Sequence, residues 1–107
     1  MAAVADVTDA TFPQEVLESD APVLVDFWAA WCGPCRAMSR VLDELAGERD
    51  DLRIVKVNVD ENVETAQRYG IQGLPLMILF RGGEETVRIS GAKPRRRLEA
   101  ELASALA

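Results

Sequence analysis

The chain has 107 residues, 49% hydrophobic and 28% charged, proportions that argue against both a disordered segment and a membrane-embedded one. Its formal net charge of -6 and pI near 4.6 argue against nucleic acid, which is gripped by clustered Lys and Arg on phosphates. The length fits one domain over residues 1–107, and no internal repeat, low-complexity tract or linker divides it. Met1 to Ala10 has no basic segment leading into an apolar run, and no stretch approaches the ~20 apolar residues that cross a bilayer. A cytoplasmic chain with no membrane partner is therefore expected.

In chain order, Ala3 to Val7 alternates loosely and predicts a short strand. Thr11-Phe12-Pro13-Gln14 has the spacing of a capping box with an early helical proline, predicting a helix to about Glu18. Val23 to Trp28, bounded by Asp20-Ala21-Pro22, is dense enough in apolar residues to be a strand buried on both faces at the sheet centre. Cys35, Met38, Leu42 and Leu45 then recur at helical spacing, with Arg36, Arg40, Asp43 and Glu44 between them, so an amphipathic helix should end between Gly47 and Asp50. Ile54 to Val59 is a second β-branched run. Strand, helix, strand is the unit that sets two parallel strands side by side through a right-handed crossover.

Asn62 is placed to cap a short helix stopping at Gly70. Leu76 to Phe80, the Gly82-Gly83 turn and Thr86 to Ile89 read as a hairpin. Leu98, Leu102, Ala105 and Leu106 share one face of a closing helix. The predicted class is α/β, a mixed sheet of about five strands flanked by about four helices.

The chemistry centres on Cys32-Gly33-Pro34-Cys35, at the turn between the first long strand and its helix. The first sulfur stands where unpaired backbone N–H groups and the positive end of the helix dipole favour a thiolate, which makes Cys32 the nucleophile. Cys35, one turn further in, is within disulfide reach and is the buried resolving thiol. Pro34 fixes the turn at a position where its missing N–H costs no helix hydrogen bond. Two alternatives compete. Half of a structural zinc site would need further ligands, and the chain has two cysteines and no histidine. A purely structural disulfide across so short a loop would contribute only about 2 kcal/mol. No glycine-rich dinucleotide loop and no metal-ligand set occurs, so no cofactor or metal is expected beyond the cysteine pair.

Asp26 interrupts an apolar strand, and burial should raise its pKa unless it is paired. Lys56, one of two lysines in the chain, similarly interrupts the second β-branched run. Pro75 by itself reads as a trans proline at a strand edge, because cis bonds are about 5–6% of X-Pro bonds.

The segments Val25 to Ala29, Trp31 to Cys35, Lys56 to Asp60, Tyr69-Gly70-Ile71, Gly73-Leu74-Pro75 and Gly91-Ala92, in this order along nearly the whole chain, resemble the thioredoxin family. The resemblance implies the thioredoxin fold and protein disulfide reduction by dithiol-disulfide exchange through Cys32 and Cys35. It implies a monomer re-reduced by a thioredoxin reductase, with disulfide-containing targets such as reductases and peroxidases. Asp26 would handle the proton of Cys35, with Lys56 tuning its charge. Pro75 would be cis and face the cysteines. With Trp31, Leu74, Gly91 and Ala92 it would line a shallow groove for an extended substrate segment, and Trp28 would be a packing aromatic below the site.

An oxidase or isomerase, and a non-enzymatic accessory subunit built on the same fold, are the alternatives. Gly33-Pro34 resembles the reducing members. Three departures from the family pattern stand out. Arg40 replaces a frequent helix-kinking proline, so a straighter helix is expected. Leu76 follows Pro75 where Thr is common. Lys93-Pro94-Arg95-Arg96-Arg97 puts positive charge at a helix start, where it opposes the dipole, and reads as a solvated face or a docking patch for an acidic partner.

Overall fold

The computed structural model describes residues 4–107. Five strands form one sheet in the order β1-β3-β2-β4-β5. β2 (Val23–Trp28) lies at the centre, parallel to β3 (Arg53–Asn58) and antiparallel to β4 (Leu76–Arg81). β5 (Glu84–Ser90) completes a hairpin with β4, and β1 (Ala5–Asp6) pairs parallel with the outer side of β3. The mixed α/β sheet and the βαβ unit read from the sequence are both present. β1 is shorter than expected: Val7 leaves the ladder after one more bond, from its N–H to the Lys56 carbonyl (2.9 Å), and Ala3 lies outside the described residues.

The period of a strand divides β2 between two cores. Leu24 faces α1 (Gly33–Glu48) and α3 (Arg95–Leu106), packing with Met38, Leu42, Leu98 and Leu102. Val23, Val25 and Phe27 face the opposite layer, where Phe12 and Val16 of a short helix (Pro13–Leu17 and its lead-in) cover Ile78 and Phe80. There Phe12, Tyr69 and Phe80 form a tilted and edge-on cluster with centroids 5.3 to 5.7 Å apart, a favoured aromatic geometry. Two residues on from Leu24, Asp26 consequently enters the layer between sheet and α1. α1 runs unbroken through Arg40.

Both predicted helix caps differ from what forms. The reciprocal bonds of a capping box connect Thr8 and Thr11, not Thr11 and Gln14: the Thr8 N–H donates to Thr11 Oγ1 (2.9 Å) and the Thr11 N–H to Thr8 Oγ1 (3.3 Å). The chain turns one step earlier because the Phe12 N–H already reaches the Thr8 carbonyl (2.8 Å). Asn62 precedes α2 (Val63–Arg68), yet its side chain does not cap it. Asp9 does so from across the fold, accepting from the Thr65 N–H (2.8 Å), the Thr65 hydroxyl (2.6 Å) and the Glu64 N–H (3.3 Å). Asn62 instead braces the loop that delivers Asp9, accepting from the Asp9 N–H (2.9 Å). Replacing Asp9 with alanine leaves these donors without their partner and should lower the urea midpoint of the full chain with an unchanged m-value, whereas Gln14→Ala should leave the midpoint unmoved.

The hairpin turn is Gly82-Gly83, both at positive φ, with Arg81 opposite Glu84. A side chain at Gly83 would set its Cβ 2.7 Å from the Leu17 carbonyl oxygen, so glycine is needed there for space as well as for conformation. The basic run at the start of α3 is only partly a solvated face. Arg96 and Arg97 are exposed, whereas Arg95 is half-buried and its guanidinium binds Glu44 and Glu48 of α1 and Glu99 one turn ahead. Its opposition to the dipole is offset by these three carboxylates, of which Glu44 and Glu48 tie α3 to α1.

A candidate disulfide active site

β2 ends at Trp28 and the chain turns sharply into α1, with the Cys32 N–H donating to the Ala29 carbonyl (3.1 Å). Cys32 takes the N-cap position in extended conformation, and its sulfur accepts the otherwise unpaired Cys35 N–H at 3.2 Å. An N-cap normally carries an oxygen acceptor; a sulfur here is held against the donors and the positive dipole end that stabilise a thiolate once the pair is reduced. Gly33 and Pro34 form the exposed first turn. Cys32 and Cys35 are joined as a disulfide, their Cα atoms 5.4 Å apart. Both are buried, packed with Ala29 and against Trp28, Val59 and Leu74.

Trp31, in contrast, is 70% exposed, and its indole N–H donates to Asp60 Oδ2 at 2.8 Å. Asp60 thus fixes the exposed side chain next to Cys32 in the sequence. No local signal in the sequence pairs the two residues, which are 29 positions apart. The Leu74–Pro75 bond is cis, which reverses the reading of Pro75 by itself and agrees with the resemblance. The Pro75 carbonyl accepts from the Gly91 N–H (2.9 Å), and Gly91, at φ +79°, directs the chain into the exposed Ala92. Leu74, Pro75, Gly91 and Ala92 thus follow one another across two joined segments, with Leu74 against the cysteines.

Behind the disulfide lies a cleft of about 120 Å³ bordered by Asp26, Trp28, Cys35, Arg36, Ser39 and Lys56. Asp26 is 3% exposed, and its Oδ1 has no hydrogen-bond partner. Burial pushes its carboxyl up to about 7; the Lys56 charge pulls it back and the Asp43 charge raises it further. Lys56 stands directly opposite Asp26 in the β2–β3 register, and its Nζ lies over the Trp28 ring, 5.6 Å from the centroid. It therefore acts on Asp26 across space, and on Trp28 as a cation over an aromatic face. The structure adds Arg36 and Ser39 to the lining of this cleft and brings the Asp43 charge to bear on Asp26. Their signal was their place on α1: Ser39 follows Cys35 by one helical turn, and Asp43 follows Ser39 by another. Among the described residues, no group of three or more His, Cys, Asp or Glu is arranged to hold a metal ion, and the two sulfurs that a zinc site would need are bonded to each other.

Residues 3–104 match the family model described as Thioredoxin. Among curated proteins, Thioredoxin 1 of Nostoc sp. is 50% identical over 103 residues, covering 95% of this chain and 96% of that protein. Thioredoxin 1 of Synechococcus elongatus is 52% identical over 96 residues, 89% and 90% of the two chains. The chloroplastic M-type thioredoxin of Chlamydomonas reinhardtii is 52% identical over 90 residues, 83% of this chain and 64% of that protein.

Proposed function

Belonging as it does to the thioredoxin family, the chain is a thiol-disulfide oxidoreductase, and we propose that it reduces target disulfides by a nucleophilic attack of Cys32 that Cys35 resolves. The observation that carries this assignment of roles is the sulfur at the N-cap of α1, with Cys35 one turn inside and Asp26 behind it. In the reduced pair, Cys32 thiolate attacks a target disulfide and forms a mixed disulfide. Cys35 then gives up its proton and attacks Cys32, which releases the target as a thiol. Asp26 is the acceptor of that proton. A carboxyl with a pKa of about 7 exchanges protons readily at neutral pH, and the cleft beside Cys35 is roomy enough for water to carry one across. Lys56 keeps this buried carboxylate within reach of ionisation.

In the same reading Trp31, Leu74, Pro75, Gly91 and Ala92 line a shallow groove beside the disulfide, which is supported by Leu74 packing against the cysteines and by the Gly91 N–H bonding to the Pro75 carbonyl. An extended target segment would lie along Leu74-Pro75 and bond to its backbone. Members of the family act on disulfide-containing targets and are re-reduced by a reductase; for this chain we take the donor to be a thioredoxin reductase and the targets to include reductases and peroxidases. We read residues 1–107 as one domain, supported by the single sheet that joins all five strands, and take the chain to act as a monomer. Among the described residues no helix is long and apolar enough to cross a membrane. The compartment we propose is the cytoplasm, whose reducing poise would keep the pair cycling as a reductant.

Two measurements test the reading. The equilibrium reduction potential of the Cys32/Cys35 pair should lie below the cytosolic glutathione poise of about -220 to -260 mV; a value well above it would make the chain an oxidase or isomerase. In single-turnover kinetics, Asp26→Ala should slow target release by about tenfold or more while leaving the first attack nearly unchanged. Equal effects on both steps would remove Asp26 from the proton transfer.

A further inference from the structure

Ser39 is half-buried on α1 and borders the same cleft as Asp26, Cys35 and Lys56. Asp26 Oδ1 is buried there without a partner, a costly state for a carboxylate oxygen. A water in the cleft would satisfy it if other polar groups held that water, since buried waters take roughly two to four hydrogen bonds. β3 contributes the Lys56 amine and α1 contributes the Ser39 hydroxyl and the exposed Arg36. An alanine at position 39 would border the cleft equally well but would offer no donor.

We propose that Ser39 is a positioning residue for the resolving step: through water in the cleft its hydroxyl donates toward Asp26 Oδ1 and holds open the path from the Cys35 proton to that carboxylate. The proposal rests on the reading of Asp26 as proton acceptor. In the step concerned, the Cys35 thiol passes its proton to the Asp26 carboxylate and its sulfur bonds to that of Cys32. The bond between Cys32 and the target sulfur breaks, and its electron pair leaves on the target sulfur. The target is reduced, the Cys32/Cys35 pair is oxidised, and Asp26 returns its proton through the cleft to the leaving thiolate or to solvent.

The charged and titratable groups around Asp26 are Lys56 from β3 and Cys35, Arg36 and Asp43 from α1, while β4 sets uncharged Met77 beside it. Against that fixed background a hydroxyl donor favours the ionised carboxylate, so its loss raises the proton affinity of Asp26.

The test is Ser39→Ala in the full chain, a substitution that increases helix propensity and so preserves the fold. NMR titration of the Asp26 carboxyl in the oxidised protein should show its midpoint moved upward by about half a pH unit. The pH profile of the resolving rate should shift upward with it, the first attack should be unchanged, and Ser39→Thr should restore both. In an Asp26→Asn background, Ser39→Ala should have no further effect on resolution. An unmoved carboxyl midpoint, or an equal loss of rate with Asn at position 26, overturns the proposal. A resolving rate indifferent to Asp26→Asn would instead overturn the reading of Asp26 as acceptor and with it any role for Ser39 in resolution, while the carboxyl titration would still separately report the hydrogen bond.

Discussion

Cys32→Ser should abolish target reduction, lowering the rate by on the order of a thousandfold or more, whereas Cys35→Ser should retain the first attack and halt as a mixed disulfide. The asymmetry follows from the two positions in α1. Cys32 occupies the N-cap, where the backbone N–H of Cys35 and the dipole stabilise negative charge on sulfur. A serine hydroxyl in that place stays protonated at neutral pH and accepts the same hydrogen bond without becoming a nucleophile. Cys35 lies one turn further into α1, away from the helix-end donors, and in the proposed sequence it attacks only the Cys32 sulfur to which it is bonded here. Mass spectrometry of a target mixed with each variant distinguishes the outcomes: a covalent adduct with Cys35→Ser and none with Cys32→Ser. Adducts with both variants would show that the order of the two cysteines is reversed.

Asp26→Ala should make the oxidised protein more stable at pH 8, by an amount approaching about 4 kcal/mol, and should give no such gain at pH 4. The native carboxyl titrates near 7, raised chiefly by burial, against about 4 in an unfolded chain. The folded state therefore holds this proton more tightly than the unfolded state. Between the two values unfolding releases a proton, so the stability associated with Asp26 is fully present below about pH 4, declines as the pH rises and is lost once the folded carboxyl ionises above about 7. Removing the group removes that loss. Truncation to alanine costs little packing, because Asp26 borders an existing cleft and its Oδ1 has no hydrogen bond to break. Urea titrations of both forms at pH 4 and pH 8 measure the difference, and an equal effect at the two pH values would show that Asp26 is not buried as a destabilised carboxylate. The group proposed to accept the Cys35 proton would thus be held at the expense of stability, as strained or desolvated functional groups commonly are.

Much of the molecule was determined by short-range pattern. The density of Val23 to Trp28 placed that strand at the sheet centre, the spacing of Cys35, Met38, Leu42 and Leu45 placed α1 and its buried face, and Gly82-Gly83 placed the hairpin, because side-chain period and glycine's backbone freedom are properties of adjacent residues. The same local logic put a sulfur at a helix start, which pointed to thiol-disulfide chemistry, and an ionisable residue inside an apolar strand, whose part in that chemistry only the family resemblance implied. The tertiary structure decided which distant groups complete these features. Asp9, not Asn62, caps α2, since a side chain from another loop reaches the free N–H groups first. Arg95 leaves the basic run to bind Glu44 and Glu48, about fifty residues away, because α3 packs along α1. Asp60 holds Trp31, and Ser39 and Asp43 join Asp26 only when α1 crosses over β2. Hydrogen bonds and Coulomb forces act over a few ångströms whatever the separation along the chain, so these partners are set by how the layers pack, which no local run of residues encodes.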